Sequence, residues 1–209
     1  FGLVGYYCAL AIWSVLGLVV LALGCRRLGL SKMEAAIVLL SPAAVLCLYN
    51  GQTGNMATGL LLMALAARPG RDFTAMGAAA ILTIKPQMGI FLPFYWLEER
   101  RWDAIFGTAI AALVLIGLAL LAFGPGAFVD YATKTLDELS MLERHGTGPF
   151  MSMIPSIFMS LRILSGDGDL AIKLHIILAI PIVIFALWRL WRLGDRMRRV
   201  ALVLAATVL

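Results

Sequence analysis

Charge is what this chain has least of. Asp, Glu, Lys and Arg make up 14% of the 209 residues, while 62% are apolar. A soluble domain is nearer a quarter charged and half apolar. So few polar residues cannot coat a single core of this size, which excludes a soluble enzyme and a disordered chain. Cysteine is scarce too. Cys8, Cys25 and Cys47 lie in or beside apolar runs, with neither metal-ligand spacing nor a disulfide pattern, so they read as small hydrophobes. Phosphate-binding glycine loops, dinucleotide fingerprints, zinc spacings and Gly-x-Ser-x-Gly elbows are all missing. A nucleotide-using enzyme has no support, and no cofactor is implied. No basic stripe is interleaved with aromatics, so nucleic acid is not expected as a partner.

What is present is long uncharged stretches: 1–24, 35–67, 104–129 and, apart from His175, 174–188. About 20 apolar residues are needed to cross a roughly 30 Å hydrocarbon core as a helix. The expected architecture is all-α and polytopic, one transmembrane domain over 1–209. Helices are expected near 4–24, 35–49, 55–67, 73–84, 87–97, 104–123, 171–188 and 200–209, with an outside segment at 124–169. The chain opens on Phe inside one apolar run and closes inside another, so it reads as a piece of a longer membrane protein. A signal peptide at 1–24 would need a basic n-region and a small-residue cleavage site, and Arg26-Arg27 follows instead.

The basic residues report orientation. Of 17 Lys and Arg, twelve fall in four gaps: Arg26, Arg27, Lys32; Arg68, Arg71; Arg100, Arg101; and Arg189, Arg192, Arg196, Arg198, Arg199. The positive-inside rule assigns all four gaps to the cytoplasm. The runs 34–67 and 72–97 then go out and come back, turning at Asn50-Gly51-Gln52-Thr53-Gly54-Asn55 and at Lys85-Pro86-Gln87. Their arms are too short to cross comfortably. Interrupted segments of this kind are tolerated at membrane depth where protein buries them or a wet cavity adjoins them. Both turns are therefore expected below the outer surface, sharing a cavity open to the outside.

Lys85 is the sharpest single feature, because no other charge lies between Asp72 and Glu98. A lysine in hydrocarbon costs about 3 kcal/mol or more. Pro86 breaks the helix beside it and frees carbonyls, and Gln87 adds an amide. Lys85 either faces the phosphate of a lipid-linked substrate or snorkels to the interface. Asn50 and Gln52 either form a polar wall for a sugar or simply mark a wet turn. In 124–169, Phe128, Ala132, Leu136, Leu139 and Leu142 recur at helical spacing opposite Asp130, Lys134, Asp137 and Glu138, an amphipathic helix expected at the interface. Arg144 and His145 follow in a loop. His145 either orients a phosphate or sugar hydroxyl or is an ordinary exposed histidine. His175 reads as packing or interfacial, Met151–Leu164 as apolar but too short for a crossing, and Asp167-Gly168-Asp169 as a turn.

Several motifs recur in order: Gly51-Gln52, Leu60-Leu61-Leu62, Arg68 to Arg71, the small-residue run Ala75 to Ala80, Lys85-Pro86-Gln87, and Arg100-Arg101-Trp102. This set resembles glycosyltransferase family 87, over residues 1–125 in motifs and beyond that in layout. The resemblance implies a GT-C-like helical bundle with an extracytoplasmic active site in a bacterial inner membrane. It implies a polyprenyl-phosphate donor of a hexose such as mannose, and a glycolipid or glycan acceptor. It also implies a general-base aspartate in a loop upstream of residue 1, Lys85 on the departing lipid phosphate, and Gln52 and Gln87 in the substrate pocket. Asn50, Arg144 and His145 complete the candidate substrate-binding set. A transporter or lipid flippase with a cavity around Lys85 is the alternative.

Overall fold

The computed structural model describes residues 5–148, 154 and 156–207. The chain is all-α, 82% helical, with no strand among the described residues. It packs as two compact units, Phe1–Leu115 and Ile116–Leu209.

In unit 1, α1 (Tyr6–Leu28) is a full-length span. It stops at Gly29, whose φ of 91° is the left-handed conformation that glycine adopts freely. Ser31 and Glu34 form a capping box that starts α2 (Lys32–Leu39). The run 35–49 reads as one arm in the sequence, but Ser41 caps a second helix and Pro42 occupies its first turn. That helix, α3 (Pro42–Tyr49), is bent 47° from α2. The return arm is α4 (Gly54–Leu65). Asp72 then caps α5 (Phe73–Leu82). Pro86 opens the single turn α6 (Pro86–Gly89), and Pro93 lies in the first turn of α7 (Leu92–Glu98), so the arm 87–97 is divided as well.

The short helix α4 is the centre of unit 1. Every residue from Gly59 to Ala67 is buried. At 12 residues and about 1.5 Å each it is far too short to span, and it is enclosed by α1, α3, α5, α6 and α7 instead. Lipid tails are as apolar as leucine, so packing and backbone satisfaction hold such a helix in place, and apolar burial adds little. α1 and α4 meet backbone to backbone. Gly17 faces Asn55 and Met56, and Gly24 faces Gly59 and Leu62, so the two run parallel. A methyl group added at Gly24 would lie 2.5 Å from the Gly59 carbonyl oxygen, and one at Gly59 would lie 2.5 Å from that of Val20.

Three of the basic gaps converge at one end of unit 1. Arg27 donates to both carboxylate oxygens of Asp72. Asp72 also accepts from the amides of Arg68 (2.8 Å) and Ala75 (3.1 Å). The Arg101 guanidinium donates to the carbonyls of Ala67 (3.0 Å) and Arg68 and to Asp103 (3.1 Å). The connection 66–72 is thereby tied to the ends of α1 and α7. Tyr95 adds a hydrogen bond from its hydroxyl to the Leu65 carbonyl at 3.3 Å.

The helix α8 (Trp102–Asp130) begins in unit 1 and continues into unit 2. The sequence pattern ends this helix at 123. A kink does fall at Gly124 (φ 75°) with Pro125 beside it, but the helix resumes after it. Through a π-helical turn at Tyr131–Thr135 it leads to the amphipathic α9 (Leu136–His145). Unit 2 adds α10 (Ile157–Ser165), the span α11 (Gly168–Arg192) and α12 (Arg196–Ala206). Only 6% of the apolar window in the helical run Trp102–His145 is buried, and 11% of that in α11. Leu121 and Phe123 are 86% and 77% exposed. Apolar exposure on this scale belongs in lipid.

Candidate functional site

The candidate residues fall in both units. In unit 1, α4 and α5 form a hairpin closed by 66–72. Its open end therefore carries the 50–54 turn before α4 and the Lys85 turn after α5, opposite the arginine-rich end. Asn50 caps α3 and donates its side-chain amide to the Leu46 carbonyl at 3.0 Å. Gly51 has a φ of 61° and presses on Leu10 of α1, which brings the turn against that helix. Gln52 is exposed. Asn55 is turned inward and is 5% exposed. Its amide donates to the Ala44 carbonyl at 3.1 Å, which ties α4 to α3 and removes it from any polar wall.

Lys85 is half-buried and makes no ion pair among the described residues. Its amide donates to the Leu82 carbonyl at 2.8 Å and its carbonyl accepts from Met88 at 2.9 Å, so a tight turn holds it at the proline break. Gln87 is exposed on α6, which packs on α4 and α5. A cleft of about 360 Å³ opens at the start of α1, lined by Tyr6, Leu10, Trp13, Asn50 and Gly51 among others. Asn50 thus lies on a cavity wall, whereas Gln52, Lys85 and Gln87 are not among its lining residues.

In unit 2, Arg144 and His145 form the last turn of α9 where the sequence pattern puts them in a loop, because the helix runs on to Gly146, and Arg144 pairs with Asp169 at 3.2 Å. Gly168 sits against the Arg144 backbone, where a methyl group would come within 2.5 Å of its carbonyl oxygen. The Arg162 guanidinium donates to the Gly146 carbonyl. The 144–146 segment is therefore pinned onto the α10–α11 turn. His145 is exposed. The amides of Leu170 and Asp169 hold the nearby Asp167 carboxyl below its usual range, with lesser help from the charges of Lys173 and His145. A second cavity, about 380 Å³, is lined by Ser140, Glu143, Arg144, Ser156, Phe158 and His175 among others. The sequence pattern does not single out Glu143, and it reads His175 as packing or interfacial. A histidine inside an apolar span was the signal available for the latter. Most of Met151–Leu164 up to Pro155, and with it the loop residue Pro149, lies outside the described residues. No group of three His, Cys, Asp or Glu able to hold a metal occurs among the described residues.

Long helices that expose their apolar surface, joined to short broken helices buried in protein, define a polytopic membrane protein of the all-α class. The model of glycosyltransferase family 87 matches residues 1–209, and the chain belongs to that family. It is a membrane glycosyltransferase. No curated protein and no solved structure matches it.

Proposed function

We propose that the protein transfers a hexose, mannose in the first instance, from a polyprenyl-phosphate donor to a glycolipid or glycan acceptor. The reaction takes place at the end of unit 1 opposite the arginines, on the extracytoplasmic side of a bacterial inner membrane. Lys85 carries the reading. It is a half-buried cation with no ion pair among the described residues, held at a proline break in a membrane-embedded hairpin. A charge in that setting calls for a counter-charge. A lipid phosphate supplies one, most strongly as it departs and gains negative charge, so Lys85 stabilises the transition state more than the ground state. Gln52 and Gln87, exposed on the two turns at the same end, donate amide hydrogen bonds to the donor phosphate or to sugar hydroxyls. The cleft next to the 50–54 turn offers Tyr6, Leu10 and Trp13 as apolar wall and Asn50 as polar rim, which suits a ligand with a lipid chain and a polar head.

The test is transfer from polyprenyl-phosphate mannose by the full-length protein in membranes. Lys85→Ala and Lys85→Gln are expected to insert normally and to lose transfer by about 10²-fold or more, the size of effect seen when one transition-state donor is removed. Undiminished transfer by Lys85→Ala overturns the phosphate role.

A further inference from the structure

The cavity of unit 2 holds polar groups that the packing leaves unsatisfied. Among the described residues, the Arg144 Nε and His175 Nδ1 atoms are both buried without a hydrogen-bond partner, and both residues line this cavity. Buried donors without partners are rare in folded proteins, and a ligand is one standard reason for them. The rest of the wall says which kind of ligand. Glu143 brings a carboxylate, Ser140 a hydroxyl, and Ser156 a hydroxyl that accepts from the Met159 amide at 3.1 Å and keeps its own proton to donate. Phe158 meets the His175 ring edge-on, at a centroid distance of 6.3 Å, which leaves an aromatic surface beside the imidazole. An anion is poorly served here, because Asp169 already takes the Arg144 Nη1 and Glu143 adds a second negative charge. A neutral ligand with many hydroxyls uses every group, giving protons to Glu143 and accepting them from Arg144 Nε–H. The volume, about 380 Å³, lies at the small end of ligand-binding cavities.

We propose that this cavity is a carbohydrate-binding site that holds one neutral pyranose unit through Arg144, His175 and Glu143. It is additional to the Lys85 site and does not rest on it, since binding of a free sugar requires neither a lipid donor nor transfer.

Nitrogen-15 histidine labelling of the full-length protein in nanodiscs reads the site, with the His175 signals assigned by their loss in His175→Gln. Methyl α-mannopyranoside and methyl α-glucopyranoside are titrated in one arm and inorganic phosphate in another. The expected result is a saturable shift of the His175 ring nitrogens with at least one glycoside, and none with phosphate. Glu143→Gln changes an exposed side chain and keeps the fold. It should raise the half-saturation concentration about tenfold, as should Arg144→Lys, which removes the Nε–H. Three results each overturn the proposal: no His175 response to either glycoside, a response to phosphate alone, or a glycoside response that both variants leave unchanged.

Discussion

Asp72 shows how one carboxylate organises a membrane-protein end. Burial alone would raise its pKa. The amides of Arg68 and Ala75 and the Arg27 guanidinium outweigh that effect and hold the carboxyl below the usual carboxylate value. A carboxylate whose pKa is lower in the folded state than in the unfolded chain (about 3.9) stabilises the fold above that unfolded value. The contribution is lost as pH falls through the folded one. Asp72→Asn keeps the shape and removes the charge. It is expected to cost about 1.5–3 kcal/mol at neutral pH, the range for hydrogen bonds to charged groups. It should also flatten the loss of thermal stability on acidification below about pH 4, as read by unfolding in detergent across pH. An equal acid slope in both proteins would show that the Arg27–Asp72 pair is not what titrates. Three polar residues of the apolar hairpins thus divide by partner. Asp72 and Asn55 are satisfied by protein, and Lys85 has no ion pair among the described residues. In the sequence nothing shows which of the three has a protein partner, since each simply stands at a turn of an apolar hairpin. A cap signature is legible only for Asp72, three residues before Ala75 at the head of a helix.

At the scale of elements, breaks and close approaches decide the packing. Ser41-Pro42, Pro86, Pro93 and Gly124-Pro125 each interrupt an apolar run. The second was legible as a turn. The last was legible as the end of a helix at 123, whereas Ser41-Pro42 and Pro93 stand in apolar runs that hydropathy smooths over. Glycines at the α1–α4 contact have the same ambiguity, since one that touches a neighbour's backbone and one that faces open space are written alike. The structure separates them. Gly59→Leu should force α1 from α4 at an overpacking cost of about 1–3 kcal/mol or more, lowering the melting temperature measured in detergent. Gly77 lies in α5 with nothing within 4 Å of an added methyl group. Gly77→Ala should leave stability unchanged or raise it by up to about 1 kcal/mol. Equal effects at both positions would argue against the backbone-to-backbone contact.

For the whole molecule, the two ends of unit 1 make a topological prediction. Arg71 lies in the connection at the basic end, and Gln52 lies in the turn at the other. In a cysteine-free background, Gln52→Cys should react with an impermeant thiol reagent from outside intact cells, and Arg71→Cys only after permeabilisation. The reverse pattern would overturn the proposed sidedness. Composition alone determined the class of solvent, because 62% apolar residues cannot be hidden by 14% charged ones. The spacing of arginines alone suggested which gaps share a side, since charge resists crossing lipid whatever the fold. Short motifs alone pointed to the family that the family model then matched. Tertiary structure decided which short helix sits at the centre, because α4 differs from the other apolar helices in its neighbours and hardly in its residues. It also decided which polar side chains are satisfied by protein. A hydrogen bond such as Asn55 to Ala44, or an atom such as His175 Nδ1 that has no partner among the described residues, depends on groups that only packing brings together or keeps apart.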